Sequence, residues 1–280
     1  MNIFHVLILA VVQGIAELLP VSSSAHVIVA EKLLGLDPTS PKMTLLLVML
    51  HTGTMFAVIV YFWQSWRESY FSSAQQFRSN GARILVATIA TGVIGLALMQ
   101  AIKYFVAGNA PGFEIEHLFG NAKLMAGALA AAGVLIILSS RVVAAGGEDV
   151  STRSALWIGA VQGLCLPFRG FSRSGATIST GLALGVDRRR AEQFSFALAV
   201  VLTPAVIAKE GYRLYKVGAT STGGGGELWN SIGPSLLGMS LSFLAGLLAL
   251  RWLSRWLEQG RWHLFGAYCL LASLFVLWVG

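Results

Sequence analysis

Five stretches of this chain, residues 42–63, 84–106, 121–140, 232–250 and 264–279, are nearly unbroken runs of apolar side chains. Each approaches the ~20 residues an α-helix needs to cross the hydrocarbon of a bilayer. No polar stretch of domain size separates them, so the 280 residues offer no soluble domain. Composition agrees: 55% of residues are hydrophobic and 12% charged, where soluble domains carry about a quarter charged, and mean hydropathy is +0.70. The chain reads as an all-α integral membrane protein, one membrane domain over residues 1–280. Its net charge of +7 would suit nucleic acid, but the basic residues sit in short loops between apolar runs. They read as topology signals facing anionic lipid, with no nucleic-acid partner expected. Cys165 and Cys269 lie in apolar segments at no metal or disulfide spacing and read as packing residues. The N-terminal MNIFHVLILAVVQG lacks a basic leader, so a cleaved signal peptide is not expected.

An internal repeat organises the apolar runs. VQG at 12–14 returns at 161–163, and LGLD at 34–37 returns as LGVD at 184–187, offsets of 149 and 150 residues. Between these anchors each copy has a Pro/Gly break with serines, PVSSSAH (20–26) and FRGFSRSGAT (168–177). Neither arm flanking a break is long enough to cross, and irregular backbone at membrane depth is tolerated only where protein buries it or a cavity is lined by it. Two re-entrant helix–loop–helix hairpins, about 3–36 and 154–186, are therefore expected. Each is followed by three spans: 42–63, 84–106 and 121–141 in repeat 1 (about 1–143), and 190–210, 232–250 and 262–279 in repeat 2 (about 154–280).

Basic residues give the orientation. Loops 64–83, 141–153 and 251–261 and the turn 188–190 hold eleven of the twenty Lys and Arg: Arg67, Arg78, Arg83, Arg141, Arg153, Arg188, Arg189, Arg190, Arg251, Arg255 and Arg261. Loop 107–120, on the other side of the alternation, has none. The positive-inside rule places those four regions in the cytoplasm and both termini outside. A hairpin returns to its own side and three spans then cross, so the second half is expected to be inverted, as in many transporters. The hairpins would then enter from opposite faces and meet near the midplane, which gives their polar residues a shared cavity to line.

Gln13 and Glu17 are four apart on one helical face, and Ser23 and His26, three apart, share a face if helix resumes after Pro20. A carboxylate inside a bilayer is costly enough to suggest function. In the second break Gly170, Ser172, Arg173, Ser174 and Thr177 suit an anion. Glycine lets backbone approach a ligand, hydroxyls donate, the helix expected from about 176 presents N–H groups at its start, and Arg grips phosphate with paired hydrogen bonds. The second copy has Leu166 opposite Glu17, so the acidic machinery exists once. A carboxylate, hydroxyl and imidazole in one hairpin and a phosphate clamp in the other point to phosphoryl transfer or hydrolysis within the membrane.

QGIAE, PVSSSAH and GFSRSGAT resemble the motifs of the bacterial undecaprenyl pyrophosphate phosphatases, a family tied to bacitracin resistance and recycling of the cell-wall lipid carrier. The resemblance runs the length of the chain. It implies hydrolysis of undecaprenyl pyrophosphate to the monophosphate and inorganic phosphate in the bacterial inner membrane, from a site open to the periplasm. A polyprenyl diphosphate is then the substrate and a divalent cation, Mg²⁺ or Ca²⁺, the cofactor. The family's pattern of Glu or Gln, three residues, Glu falls on Gln13 and Glu17, its motif serine and histidine on Ser23 and His26, and its phosphate-binding segment on Gly170, Ser172, Arg173, Ser174 and Thr177. Arg169 departs from the family, which commonly has proline there, and Gln13 lacks the charge of a second carboxylate. On these residues Arg173 grips the diphosphate, and Glu17 with Gln13 holds the metal or accepts a proton. Ser23 attacks with His26 as base or proton donor; attack by His26 or by water is the alternative. A transporter of lipid phosphate or anions is the rival reading, since broken helices and inverted repeats serve carriers too, but a carrier has no evident need of Glu17, Ser23 and His26 together. A structural membrane protein leaves the polar cluster without a cause. The Gly-rich span 232–250 can pack closely enough for a homodimer, and 219–228 reads as a flexible outer loop.

Overall fold

A computed structural model describes residues 2–37, 40–105, 121–142, 147–220 and 224–279. Among these the chain forms ten α-helices: α1 (Ile3–Leu18), α2 (Ser23–Leu33), α3 (Pro41–Ser69), α4 (Ala74–Phe105), α5 (Ala122–Ser140), α6 (Thr152–Leu164), α7 (Arg173–Ala183), α8 (Arg188–Thr220), α9 (Gly224–Glu258) and α10 (Trp262–Val279). The only β pairing among the described residues is one isolated bridge, Glu148 with Val186. Six helices are long and apolar enough to cross a bilayer: α3, α4, α5, the Arg188–Tyr212 part of α8, the Asn230–Glu258 part of α9, and α10.

The two halves of the chain show similar orders of helix lengths. The first five helices have 16, 11, 29, 32 and 19 residues, and the next five 13, 11, 33, 35 and 18. The pairs α1–α2 and α6–α7 consist of helices too short to span the ~30 Å hydrocarbon at 1.5 Å per residue. Both pairs end in the same way. Gly35 (φ 64°) and Gly185 (φ 81°) take left-handed backbone, and the next N–H reaches back five residues, Leu36 to the Glu31 carbonyl at 2.9 Å and Val186 to the Gly181 carbonyl at 3.0 Å. This is a Schellman ending, whose left-handed position favours glycine, and it explains why LG-x-D recurs.

Several helices overrun the apolar stretches that announce them. α3 continues to Ser69 and α4 starts at Ala74, so the expected loop 64–83 is two helix ends around residues 70–73, with Arg67, Arg78 and Arg83 on helix. Hydropathy marks where the hydrocarbon stops, whereas Gln, Glu and Arg extend a helix readily into the headgroups. α4, at 32 residues, is about 48 Å long. α8 and α9 likewise exceed 190–210 and 232–250, passing through Pro204 and Pro234, as membrane helices tolerate. Of the expected outer loop 219–228, residues 221–223 lie outside the described residues and Gly224–Leu228 belong to α9. Loop 107–120 lies outside them too, as do residues 143–146 of loop 141–153.

The chain forms two compact units, each combining segments from both halves. The first comprises residues up to Leu19, His26–Trp63 and Ala199–Leu253. Its core joins Val6, Leu9 and Ala10 of α1 to Val27 of α2 and Met43, Leu46 and Leu50 of α3. Small residues bring α1 against α9: a Cβ on Gly14 would lie 2.6 Å from Ala245 Cβ and 2.7 Å from the Ser242 carbonyl. The second unit comprises Pro20–Ala25, the described parts of Gln64–Leu198, and the chain from Ser254 onwards. There α6 meets α4 so closely that a Cβ on Gly159 would collide with the Ala87 backbone, and Thr91 Oγ1 donates to the Gly159 carbonyl at 2.9 Å. α5 crosses α10 where a Cβ on Gly133 would meet the Gly266 carbonyl at 2.8 Å. Backbone approach of this kind is how helices associate where lipid removes the hydrophobic drive. The units share a rule: the first helix of each short pair packs on the fourth helix of the other half, α1 on α9 and α6 on α4.

Candidate active site

The first break follows from Pro20. α1 is capped by Leu19, whose N–H bonds the Ile15 carbonyl at 3.0 Å, and Pro20 has no N–H with which to continue. The chain turns through Ser22, at φ 67° the one non-glycine residue with positive φ among those described, a conformation that costs a side chain energy and clusters at functional sites. Ser23 then opens α2, with His26 one turn later. The Cys269 thiol donates to the Pro20 carbonyl at 3.3 Å, and the Ser22 and Ser24 hydroxyls lie 3.2 Å apart. Glu17 precedes the break on the last turn of α1. Its Oε2 accepts from Gln13 Nε2 at 3.2 Å and stands 3.8 Å from Nε2 of His51 on α3.

The second break is built around Gly170. Its φ of 101° suits glycine alone, and a Cβ there would run into the Met125 carbonyl of α5. Its N–H donates to the Ser24 hydroxyl at 3.4 Å, so the serine turn of the first break and the glycine loop of the second touch within one unit. α7 begins at Arg173, earlier than the expected 176, because Ser172 caps it: its Oγ accepts from the Gly175 N–H at 3.2 Å. Arg173 is thus the first helical residue, at the end of the helix where N–H groups point past its start. Ser172, Ser174 and Thr177 are buried while Arg173 is only partly so. Thr177 Oγ1 lies 2.8 Å from the Arg173 carbonyl and 2.6 Å from Ser195 Oγ of α8. The threonine therefore braces the turn that carries Arg173.

Sequence reasoning named Gln13, Glu17, Ser23, His26, Gly170, Ser172, Arg173, Ser174 and Thr177. The structure joins Gln13 to Glu17, and it places Ser23 in the same unit as Gly170–Thr177. It adds Ser24 and Ser195, plain serines in sequence, and His51. The last was open to discovery: an imidazole inside a 29-residue apolar helix is as anomalous as the carboxylate that drew attention to α1. In the second copy Gln162, opposite Gln13, turns instead to Thr91 Oγ1 at 3.2 Å.

One carboxylate and one carboxamide are oxygen donors of the kind Mg²⁺ and Ca²⁺ take, and two protein ligands suffice where phosphate oxygens and water complete the shell. Among the described residues no three His, Cys, Asp or Glu side chains gather to hold a metal unaided. Gln13 and Glu17 therefore fit a cation that arrives with a phosphorylated substrate, and do not fit a structural metal.

Six helices long and apolar enough to cross a bilayer and two pairs of short helices, each with polar groups at its break, define a multi-pass helical membrane protein. The chain belongs to the family of bacitracin resistance protein BacA, whose family model matches residues 6–275. It is 63% identical over 278 residues to undecaprenyl-diphosphatase 2 of Acinetobacter baylyi, covering 99% of this chain and 98% of that one. It is 34% identical to an undecaprenyl-diphosphatase of Desulfosudis oleivorans, over 98% of this chain and 97% of the relative. Undecaprenyl-diphosphatase 1 of Burkholderia pseudomallei is 32% identical, over 99% of this chain and 96% of its own.

Proposed function

We propose that this protein hydrolyses undecaprenyl diphosphate to undecaprenyl phosphate and inorganic phosphate, renewing the lipid carrier of cell-wall synthesis and conferring bacitracin resistance. Family membership and the 63% identical relative support the reaction. The observation that supports the assignment of residues is the Gly170 N–H on the Ser24 hydroxyl, a contact made by the neighbour of Ser23 with the loop that ends in Arg173. In this reading the Arg173 guanidinium and the first turn of α7 bind the diphosphate oxygens. Ser23 Oγ attacks the terminal phosphorus, the bond to the bridging oxygen breaks, undecaprenyl phosphate leaves, and the serine proton passes to His26. Water then releases phosphate from Ser23. Glu17, with Gln13, is the place for a divalent cation, which when bound offsets phosphate charge. Thr177 serves by bracing Arg173 through Ser195. The site belongs to a bacterial inner membrane and opens to the periplasm, with the second half of the chain inverted relative to the first. That places the arginine-rich turns in the cytoplasm.

Rapid quenching of a turnover mixture with a prenyl diphosphate, followed by mapping of phosphorylated peptides, tests the chemistry. Phosphate on Ser23 is expected. Phosphate on His26 would reassign the nucleophile, and the absence of any adduct would make water the attacking group.

A further inference from the structure

Arg173 is carried by α7, and α7 has little apolar bulk with which to hold its place. Its sequence RSGATISTGLA contains two large apolar side chains, Ile178 and Leu182, so hydroxyls supply much of the fixing. One of them, Ser179, is fully buried and accepts from the indole Nε1 of Trp262 on α10 at 3.1 Å. The same N–H lies 3.2 Å from Ser139 Oγ of α5, whose own hydrogen goes to the Ile136 carbonyl at 3.0 Å. An indole nitrogen only donates, so both serines accept from Trp262 and its one hydrogen is shared between α5 and α7. The face of α10 that begins at Trp262 continues one and two turns on. Gly266 packs against α5, where a Cβ on it would meet the Gly133 carbonyl at 2.6 Å, and the Cys269 thiol donates to the Pro20 carbonyl at the first break. All of these residues lie in the second unit.

We propose that Trp262 is a positioning residue for Arg173, tying α7 to α10 so that the first turn of α7 keeps its place against the turn that leads to Ser23. The inference rests on the phosphatase reading above and deepens it. Ser179 follows Arg173 by six residues, about 9 Å along the helix, so a slide or roll of α7 at Ser179 carries the start of the helix with it. Thr177 holds α7 to Ser195 of α8, and a tie from a different helix removes the rotation that the first one leaves. α10 suits the task because the face that holds Ser179 also holds the Pro20 carbonyl. One rigid helix thereby refers the phosphate-binding turn and the serine turn to each other. A neutral hydrogen bond of this kind is worth about 2–10-fold in binding.

The test compares wild type, Trp262→Phe, Ser179→Ala and Ser139→Ala in phosphate release from a long-chain prenyl diphosphate, with thermal unfolding measured in the same detergent. Phenylalanine keeps an aromatic ring without the donor. The two serine variants each leave the indole N–H one acceptor, so they match in what they remove and differ in the helix they release. Trp262→Phe and Ser179→Ala are expected to raise KM about 2–10-fold with kcat changed less, whereas Ser139→Ala keeps the wild-type KM at a similar unfolding temperature to Ser179→Ala. An unchanged KM in Ser179→Ala, an equal rise in Ser139→Ala, or a KM that merely follows the unfolding temperature across the variants would overturn the proposal while leaving the phosphatase reading intact. An inactive but folded wild type would overturn the phosphatase reading, and this one with it.

Discussion

The N–H of Gly170 donates to the hydroxyl of Ser24 at 3.4 Å, joining residues 146 apart in sequence. Each partner stands at the irregular point of its own helix pair. Ser24 lies on the first turn of α2, just past the strained Ser22, and Gly170 holds a backbone conformation closed to other residues. One hydrogen bond thus joins the polar groups of both breaks within a single unit.

Gly170→Ala is the sharpest test of that junction. Alanine would have to adopt φ 101° and displace the Met125 carbonyl, at a cost of about 1–3 kcal/mol for the backbone alone. Ser24→Ala removes one long hydrogen bond and is expected to cost about 0.5–1.5 kcal/mol. Thermal unfolding in detergent should rank Gly170→Ala well below Ser24→Ala, and phosphate release should fall in the same order.

The Thr177–Ser195 pair predicts non-additivity. Thr177→Val leaves a buried Ser195 hydroxyl without this partner, at about 1–3 kcal/mol, whereas Ser195→Ala leaves Thr177 Oγ1 its bond to the Arg173 carbonyl and costs about 0.5–1.5 kcal/mol. The double variant replaces both polar groups and should be less destabilised than the sum of the two. A strictly additive cycle would show that the 2.6 Å contact contributes nothing.

Arg173 is read as a paired donor rather than a mere positive charge. Arg173→Lys keeps the charge but loses the planar fork, and a lost charge-assisted hydrogen bond of about 1.5–3 kcal/mol corresponds to roughly 10–150-fold in kcat/KM. Arg173→Ala should be worse still. Steady-state kinetics across the three proteins checks both steps, and a lysine variant equal to wild type would reduce Arg173 to simple electrostatics.

Most of the architecture was legible because bilayers leave few choices. Apolar runs announced the spans, Pro20 and Gly170 announced the breaks, and LG-x-D announced a helix ending that the structure builds twice. Helix ends were less legible: a polar, helix-competent stretch such as Gln64–Ser69 looks like loop to a hydropathy argument. Within the site the motif residues could be named but not their duties. Nothing in the sequence says that the Thr177 hydroxyl is directed to Ser195, that Ser24 reaches a loop 146 residues away, or that a histidine on α3 stands next to Glu17. Those are facts of tertiary packing, invisible to spacing along one helix.

The cation assignment predicts that a chelator abolishes turnover and that added Mg²⁺ or Ca²⁺ restores it. Gln13→Glu supplies a second carboxylate beside Glu17 and should lower the cation concentration giving half-maximal rate. A chelator without effect, or a half-maximal concentration unmoved by Gln13→Glu, would remove Gln13 and Glu17 from cation binding.

The most direct measurement is phosphate release by purified, detergent-solubilised protein from a long-chain prenyl diphosphate, with divalent cation supplied. Glu17→Ala, Ser23→Ala and Arg173→Ala are run alongside, each verified as folded. Turnover by wild type and its loss in all three variants is the predicted result, making Glu17, Ser23 and Arg173 each necessary for the phosphatase activity. A folded wild type that releases no phosphate would contradict it and turn attention to lipid transport.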